Sequence, residues 1–154
     1  MVCLQTEVID YQAITEAVRS NQCGAVCLFL GTVREFTQGE QTKALVYEGH
    51  PTLAHHFLTQ VETETRDKWP VHEIILVHRL GHLDLGDISV AVAVSSAHRE
   101  QAFAACQFAM DRLKEIVPIW KQEHWADGST EWVHPSQAPL SPLGRGAGGE
   151  GDPS

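Results

Sequence analysis

Hydrophobic and polar positions along this chain switch repeatedly between the period of a helix and that of a strand. Behind Asp10, a good capping residue, the spacing predicts a short helix with Ile14, Ala17 and Val18 on one face, stopping before Gly24. Ala25-Val26-Cys27-Leu28-Phe29-Leu30 is an unbroken apolar run of strand length and predicts a buried strand. The polar, glycine-containing stretch from Arg34 to Gln41 predicts a mobile loop, and Lys43 to Glu48 a second strand. Pro51 suits the first turn of a helix whose inner face is Ala54, Phe57, Leu58 and Val61. That helix must stop by Trp69, because the residue before Pro70 is pushed out of the helical region.

Further along, Glu73 to Arg79 predicts a strand, Leu80 to Asp87 a turn region, and Ile88 to Val94 another strand. Ser95 or Ser96 then caps the clearest helix, whose apolar stripe is Phe103, Cys106, Met110, Leu113 and Val117; Pro118 ends it. Ile119 to Trp125, the turn Ala126-Asp127-Gly128 and Thr130 to Val133 predict a closing hairpin. Three helices among strands joined too tightly for helical crossovers indicate an α+β fold.

Composition then sets the scale. A chain of 154 residues with 43% hydrophobic and 20% charged residues argues for one globular domain. From Pro135 to Ser154 lie four of the seven prolines and five of the twelve glycines. That stretch has little to bury, so a domain over 1–134 and a disordered Pro/Gly-rich tail over 135–154 are expected. The formal charge of −9 disfavours nucleic-acid and anionic-membrane partners. No apolar run is long enough to span a bilayer, and Met1 to Glu7 lacks the look of a secretion signal. Cys3, Cys23, Cys27 and Cys106 form no disulfide framework, which fits a reducing cytoplasm.

The familiar signatures of nucleophile, phosphate loop, dinucleotide or zinc chemistry are absent from the sequence. Cys23 and Cys27 have no second ligand pair and read as core residues, so no metal site is expected. What stands out is a set of cations at element ends. His98 and Arg99 open the long helix, where backbone N–H groups favour an anion, and Lys114 lies near its other end. Lys121 follows the Pro118 break, and Arg34 begins the polar stretch. Singly, each reads as a solvated surface charge. Together they suit a pocket for a phosphorylated small molecule.

These residues fall within an ordered series: Gly24-Ala25-Val26 to Gly31-Thr32-Val33-Arg34, Leu45-Val46-Tyr47-Glu48, His78-Arg79-Leu80-Gly81, and Ser96-Ala97-His98-Arg99 to Ala102-Phe103. It continues through Asp111-Arg112-Leu113-Lys114, Pro118-Ile119-Trp120-Lys121-Gln122-Glu123, Asp127-Gly128 and Trp132-Val133. In order and spacing the series resembles the large, catalytic subunit family of molybdopterin synthase over roughly residues 2 to 134.

The resemblance implies an α/β-hammerhead fold and a sulfurtransferase of molybdenum-cofactor biosynthesis. Such an enzyme turns cyclic pyranopterin monophosphate into the dithiolene of molybdopterin. Its sulfur comes as a thiocarboxylate on the C-terminal Gly-Gly of a small ubiquitin-like carrier, and two large subunits pair as a homodimer within a heterotetramer. By the same resemblance Lys114 and Lys121 are catalytic, Arg34, His98 and Arg99 bind substrate, and no cofactor is needed. One departure is visible. After Trp132-Val133 the family often carries an acidic residue and then an arginine that reaches the neighbouring subunit, whereas this chain reads His134-Pro135-Ser136, with only Arg145 beyond. That departure motivates an alternative, a non-catalytic carrier-binding module of the same fold. A thiol-based sulfurtransferase using Cys23 or Cys106 is a third reading, opposed by the expected burial of both.

Overall fold

A computed structural model describes residues 1–133. The expected tail, the departure at His134-Pro135-Ser136 and Arg145 lie outside the described residues. The elements in order are β1 (Val2–Gln5), α1 (Tyr11–Val18), β2 (Ala25–Thr32), β3 (Phe36–Thr37), β4 (Glu40–Gly49) and α2 (Pro51–Lys68). They continue with β5 (Val71–Arg79), β6 (Gly81–Asp84), β7 (Ile88–Ser96), α3 (Arg99–Ile116), β8 (Ile119–Trp125) and β9 (Thr130–Val133). The α+β expectation holds.

One sheet has the order β1-β5-β7-β2, antiparallel except for the β1–β5 pair. Its two central strands are continuously apolar over residues 74–77 and 90–94 because helices cover both faces. Ile74, Leu76, Val92 and Val94 pack with Ala54, Leu58 and Val61 of α2 and Ala105, Ala109 and Leu113 of α3. The alternate residues Ile75, Val77, Ala91 and Ala93 pack with Ile9 and Val18 on the α1 side. In the second sheet the long strand β4 is central, with β8 on one side, β3 and β6 on the other, and β9 outside β8.

Helix α2 follows the sequence closely, with Pro51 in its first turn and Trp69 as its C-cap. Asp10 caps α1, its carboxylate accepting from the Ala13 N–H at 3.0 Å. Ala17, however, is exposed, and only Ile14 and Val18 face inward.

Several expectations need correcting. β2 is an edge strand of its sheet, and Val26 and Phe29 are about 40% exposed; an unbroken apolar run alone does not distinguish an edge from a centre. Arg34 to Gln41 holds a hairpin instead of a loop: Gln38 (φ 51°) and Gly39 (φ 87°) supply the two left-handed residues that join β3 to β4. The turn region after Leu80 contains β6, and β1 was not foreseen. Neither Ser95 nor Ser96 caps α3. Both belong to β7, the N-cap is His98, and the Ser96 hydroxyl donates to the His98 carbonyl at 2.6 Å. The inner stripe of α3 is Ala102, Ala105, Cys106, Ala109 and Leu113, while Phe103 is 64% exposed. Three alanines let the helix lie close to the sheet, a signal that a search for large apolar residues passes over.

At Gly31 the β2–β7 register shifts, and the chain leaves the sheet toward Arg34. A Cβ at Gly31 would stand 2.6 Å from Val90 Cγ1, in a strand whose neighbours are buried. Gly31→Ala is therefore expected to cost about 2 kcal/mol of stability, read from urea unfolding. Adding Val90→Ala should recover part of that loss if the clash is its cause.

Candidate active site

Where β2, β4, β8 and the last turns of α3 meet, they enclose a cavity of about 190 Å³. Its lining includes Arg34, Lys114 and Lys121, three of the five residues singled out from sequence. Their convergence follows from the chain's turns. The register shift after Gly31 swings Arg34 out of the first sheet, Lys114 stands in the last turn of α3, and Pro118 reverses the chain into β8. Opposite Tyr47 in the β4–β8 ladder is Lys121. The cavity therefore lies between the two sheets, with exposed Arg34 and Lys114 beside the half-buried Lys121.

Lys121 is the perturbed amine. Burial pushes its pKa below the ordinary lysine value, and Lys114 and Arg34 push the same way, against the carboxylate of Glu123. Glu123 Oε1 lies 3.7 Å from Lys121 Nζ, and Oε2 accepts from the Thr42 hydroxyl at 3.0 Å. Glu123 is 2% exposed, and Lys121 is its cationic partner among the described residues. Lys121→Met is expected to destabilise the fold by about 3 kcal/mol, because an unpaired buried carboxylate remains. Lys121→Met combined with Glu123→Gln should regain most of that stability, which thermal melts of the single and double variants measure.

His98 and Arg99 stand elsewhere. They line a separate pocket with Gly24, Ala97, Glu100 and Phe103 at the start of α3. Fifteen residues of one helix separate Arg99 from Lys114, roughly 22 Å. Within a single chain these two groups of cations do not meet.

The cysteines are no better placed for chemistry. Cys106 is buried on α3, and burial, reinforced by neighbouring Cys27, pushes its thiol up to about 12. None of the cysteines is among the cavity's lining residues. Among the described residues no group of three or more His, Cys, Asp or Glu is gathered as a metal site. Nor is any helix long and apolar enough to cross a membrane, among the described residues.

Sequence reasoning did not single out Tyr47, His78, Thr42 or Glu123 as site residues, yet all four line the cavity. A histidine closing the run Ile74-Ile75-Leu76-Val77 was a usable signal, since a polar residue there is buried.

Fold and cavity together define an α+β protein whose cleft gathers three cationic side chains, Arg34, Lys114 and Lys121. The chain belongs to the MoaE protein family, whose model matches residues 4–116. The molybdopterin synthase catalytic subunit of Halalkalibacterium halodurans is 41% identical over 130 residues, covering 84% of this chain and 82% of that protein. A crystal structure of molybdopterin synthase from Staphylococcus aureus matches at TM-score 0.80 and 42% identity, covering 84% of this chain and 94% of that one. A complex of subunits 1 and 2 of the molybdopterin-converting factor from Helicobacter pylori shares the fold at TM-score 0.69 and 19% identity. It covers 86% of this chain and 88% of that one.

Proposed function

We propose that this chain is the catalytic subunit of a molybdopterin synthase. It moves sulfur from the C-terminal Gly-Gly thiocarboxylate of a small carrier subunit onto cyclic pyranopterin monophosphate, forming the dithiolene. The observation that carries this reading is the gathering of Arg34, Lys114 and Lys121 in one cavity of a chain with net charge −9. Family membership and the named relatives support it, and the same fold occurs in a two-subunit complex.

The chemistry suits that cavity. A thiocarboxylate sulfur attacking the ring system builds negative charge and displaces phosphate oxygen, and fixed cations stabilise both. After each transfer, water cleaves the acyl–sulfur bond and the carrier leaves as a carboxylate. Lys114 is assigned to the carrier terminus. Lys121, the amine with the lowered pKa, is assigned to proton transfer beside it. Arg34, His98 and Arg99 are assigned to the phosphate and the pterin. Since His98 and Arg99 are remote from the cavity of their own chain, they serve the cavity of a second copy, in a homodimer flanked by two carriers.

The deciding experiment mixes this protein with thiocarboxylated carrier and cyclic precursor and measures dithiolene product. Product formation is expected. Carrier binding without product would leave only the non-catalytic module. A variant with Cys3, Cys23, Cys27 and Cys106 all replaced by serine or alanine should turn over within about twofold of wild type, because no cysteine lines the cavity and burial pushes the Cys106 thiol up to about 12. Loss of turnover in a folded cysteine-free variant would restore the thiol mechanism.

A further inference from the structure

Most of the cavity's chemistry is cationic, but its buried side carries hydrogen-bond acceptors. His78 is 6% exposed and lines the cavity from the end of β5. Its Nδ1 lies 3.0 Å from the Arg79 carbonyl oxygen. A carbonyl only accepts, so Nδ1 carries the proton and Nε2 of the neutral ring is left with a lone pair. Burial holds the ring neutral, its pKa down at about 4. Nε2 has no protein hydrogen-bond partner among the described residues and is not sealed from solvent, so an occupant of the cavity can reach it.

The ring cannot readily turn away. It stands edge-on to Tyr47, with centroids 5.0 Å apart at 71°. Tyr47 lines the same cavity, and the Ser89 hydroxyl beside it donates to the Gly31 carbonyl at 3.2 Å. An acceptor on so poorly solvated a ring gains from an occupant that supplies a donor. Arg34, Lys114 and Lys121, the charged donors of the same cavity, are fitted to anionic groups, and none is recorded bonding to His78.

We propose that His78 is a binding residue of this cavity, its Nε2 accepting a hydrogen bond from an N–H of the bound guest. Two guests of the proposed reaction carry such a group: the peptide N–H of the carrier's Gly-Gly end and a ring N–H of the pterin. The inference rests on that reaction, and the substrate whose KM rises identifies the source.

The test measures kcat and both KM values, for thiocarboxylated carrier and for cyclic precursor, in wild type, His78→Phe and His78→Gln. Phenylalanine keeps the ring against Tyr47 but removes the acceptor, whereas glutamine returns a carbonyl oxygen near the Nε2 position. His78→Phe is expected to raise one KM about tenfold with kcat within twofold, and His78→Gln to recover most of it. A merely structural histidine would instead lower the melting temperature of both variants alike and leave both KM values unmoved, and that result overturns the proposal. So does a fall in kcat with unchanged KM. If wild type makes dithiolene and His78→Phe matches it, only this inference falls. If wild type makes none, the synthase reading falls and takes the inference with it.

Discussion

Lys114→Ala is expected to lower dithiolene formation by at least about a hundredfold, the scale on which single preorganised charges act at developing anions. The structure makes this a clean measurement. Lys114 is exposed in the last turn of α3, and no ion pair is recorded for its amine among the described residues. Its removal sacrifices only a favourable interaction with the C-terminal end of the helix, about 0.5 kcal/mol. Stability should therefore hold while turnover collapses. Lys114→Arg refines the result, because it keeps the charge but not the compact, deprotonatable amine. If charge alone matters, arginine restores most of the rate. If Lys114 contacts or protonates the carrier terminus, arginine stays close to alanine. A Lys114→Ala variant with wild-type turnover would remove the centre from the proposed mechanism.

What could be read from the chain beforehand follows from where amphipathicity is unambiguous. Helix α2 and the β8–β9 hairpin were legible because each pairs a one-sided apolar pattern with a clear punctuation residue, Pro51 for one and the Asp127-Gly128 turn for the other. α3 was legible in extent but not in rotation. Its contact face is built from Ala102, Ala105 and Ala109, which count for little on a hydrophobicity scale but let the helix approach the sheet. β2 was found and misplaced, since Val26 and Phe29 look like core residues until pairing shows an edge. The Gln38-Gly39 turn was a hairpin signal read as flexibility.

The site divides in the same way. Lys114 and Lys121 are neighbours in sequence order, but only the break at Pro118, the pairing of β8 with β4 and the register shift at Gly31 bring them to Arg34. Nothing in the spacing reveals that, and the family resemblance supplied the roles. His78 sat inside a resembling segment, yet its acceptor character depends on a bond to the Arg79 carbonyl that no sequence pattern encodes.

The separation of His98 and Arg99 from the cavity leads to the second large effect. Arg99→Ala alone and Lys114→Ala alone should each leave turnover near background. Mixed within one homodimer, they are expected to restore it. If each active cavity takes Lys114 from one copy and Arg99 from the other, a mixed dimer holds one doubly damaged site and one intact site. Random pairing makes half of the dimers mixed, so co-expressed variants with distinct tags should give roughly a quarter of wild-type turnover, and purified mixed dimers roughly half. Two-fold symmetry alone is enough for this outcome, because a symmetric pair places any cross-copy contact twice. Activity that stays at background in purified mixed dimers would mean that the two groups of cations never share a site. His98 and Arg99 would then have no part in holding substrate, and Arg34, Lys114 and Lys121 would be left to bind the phosphate unaided.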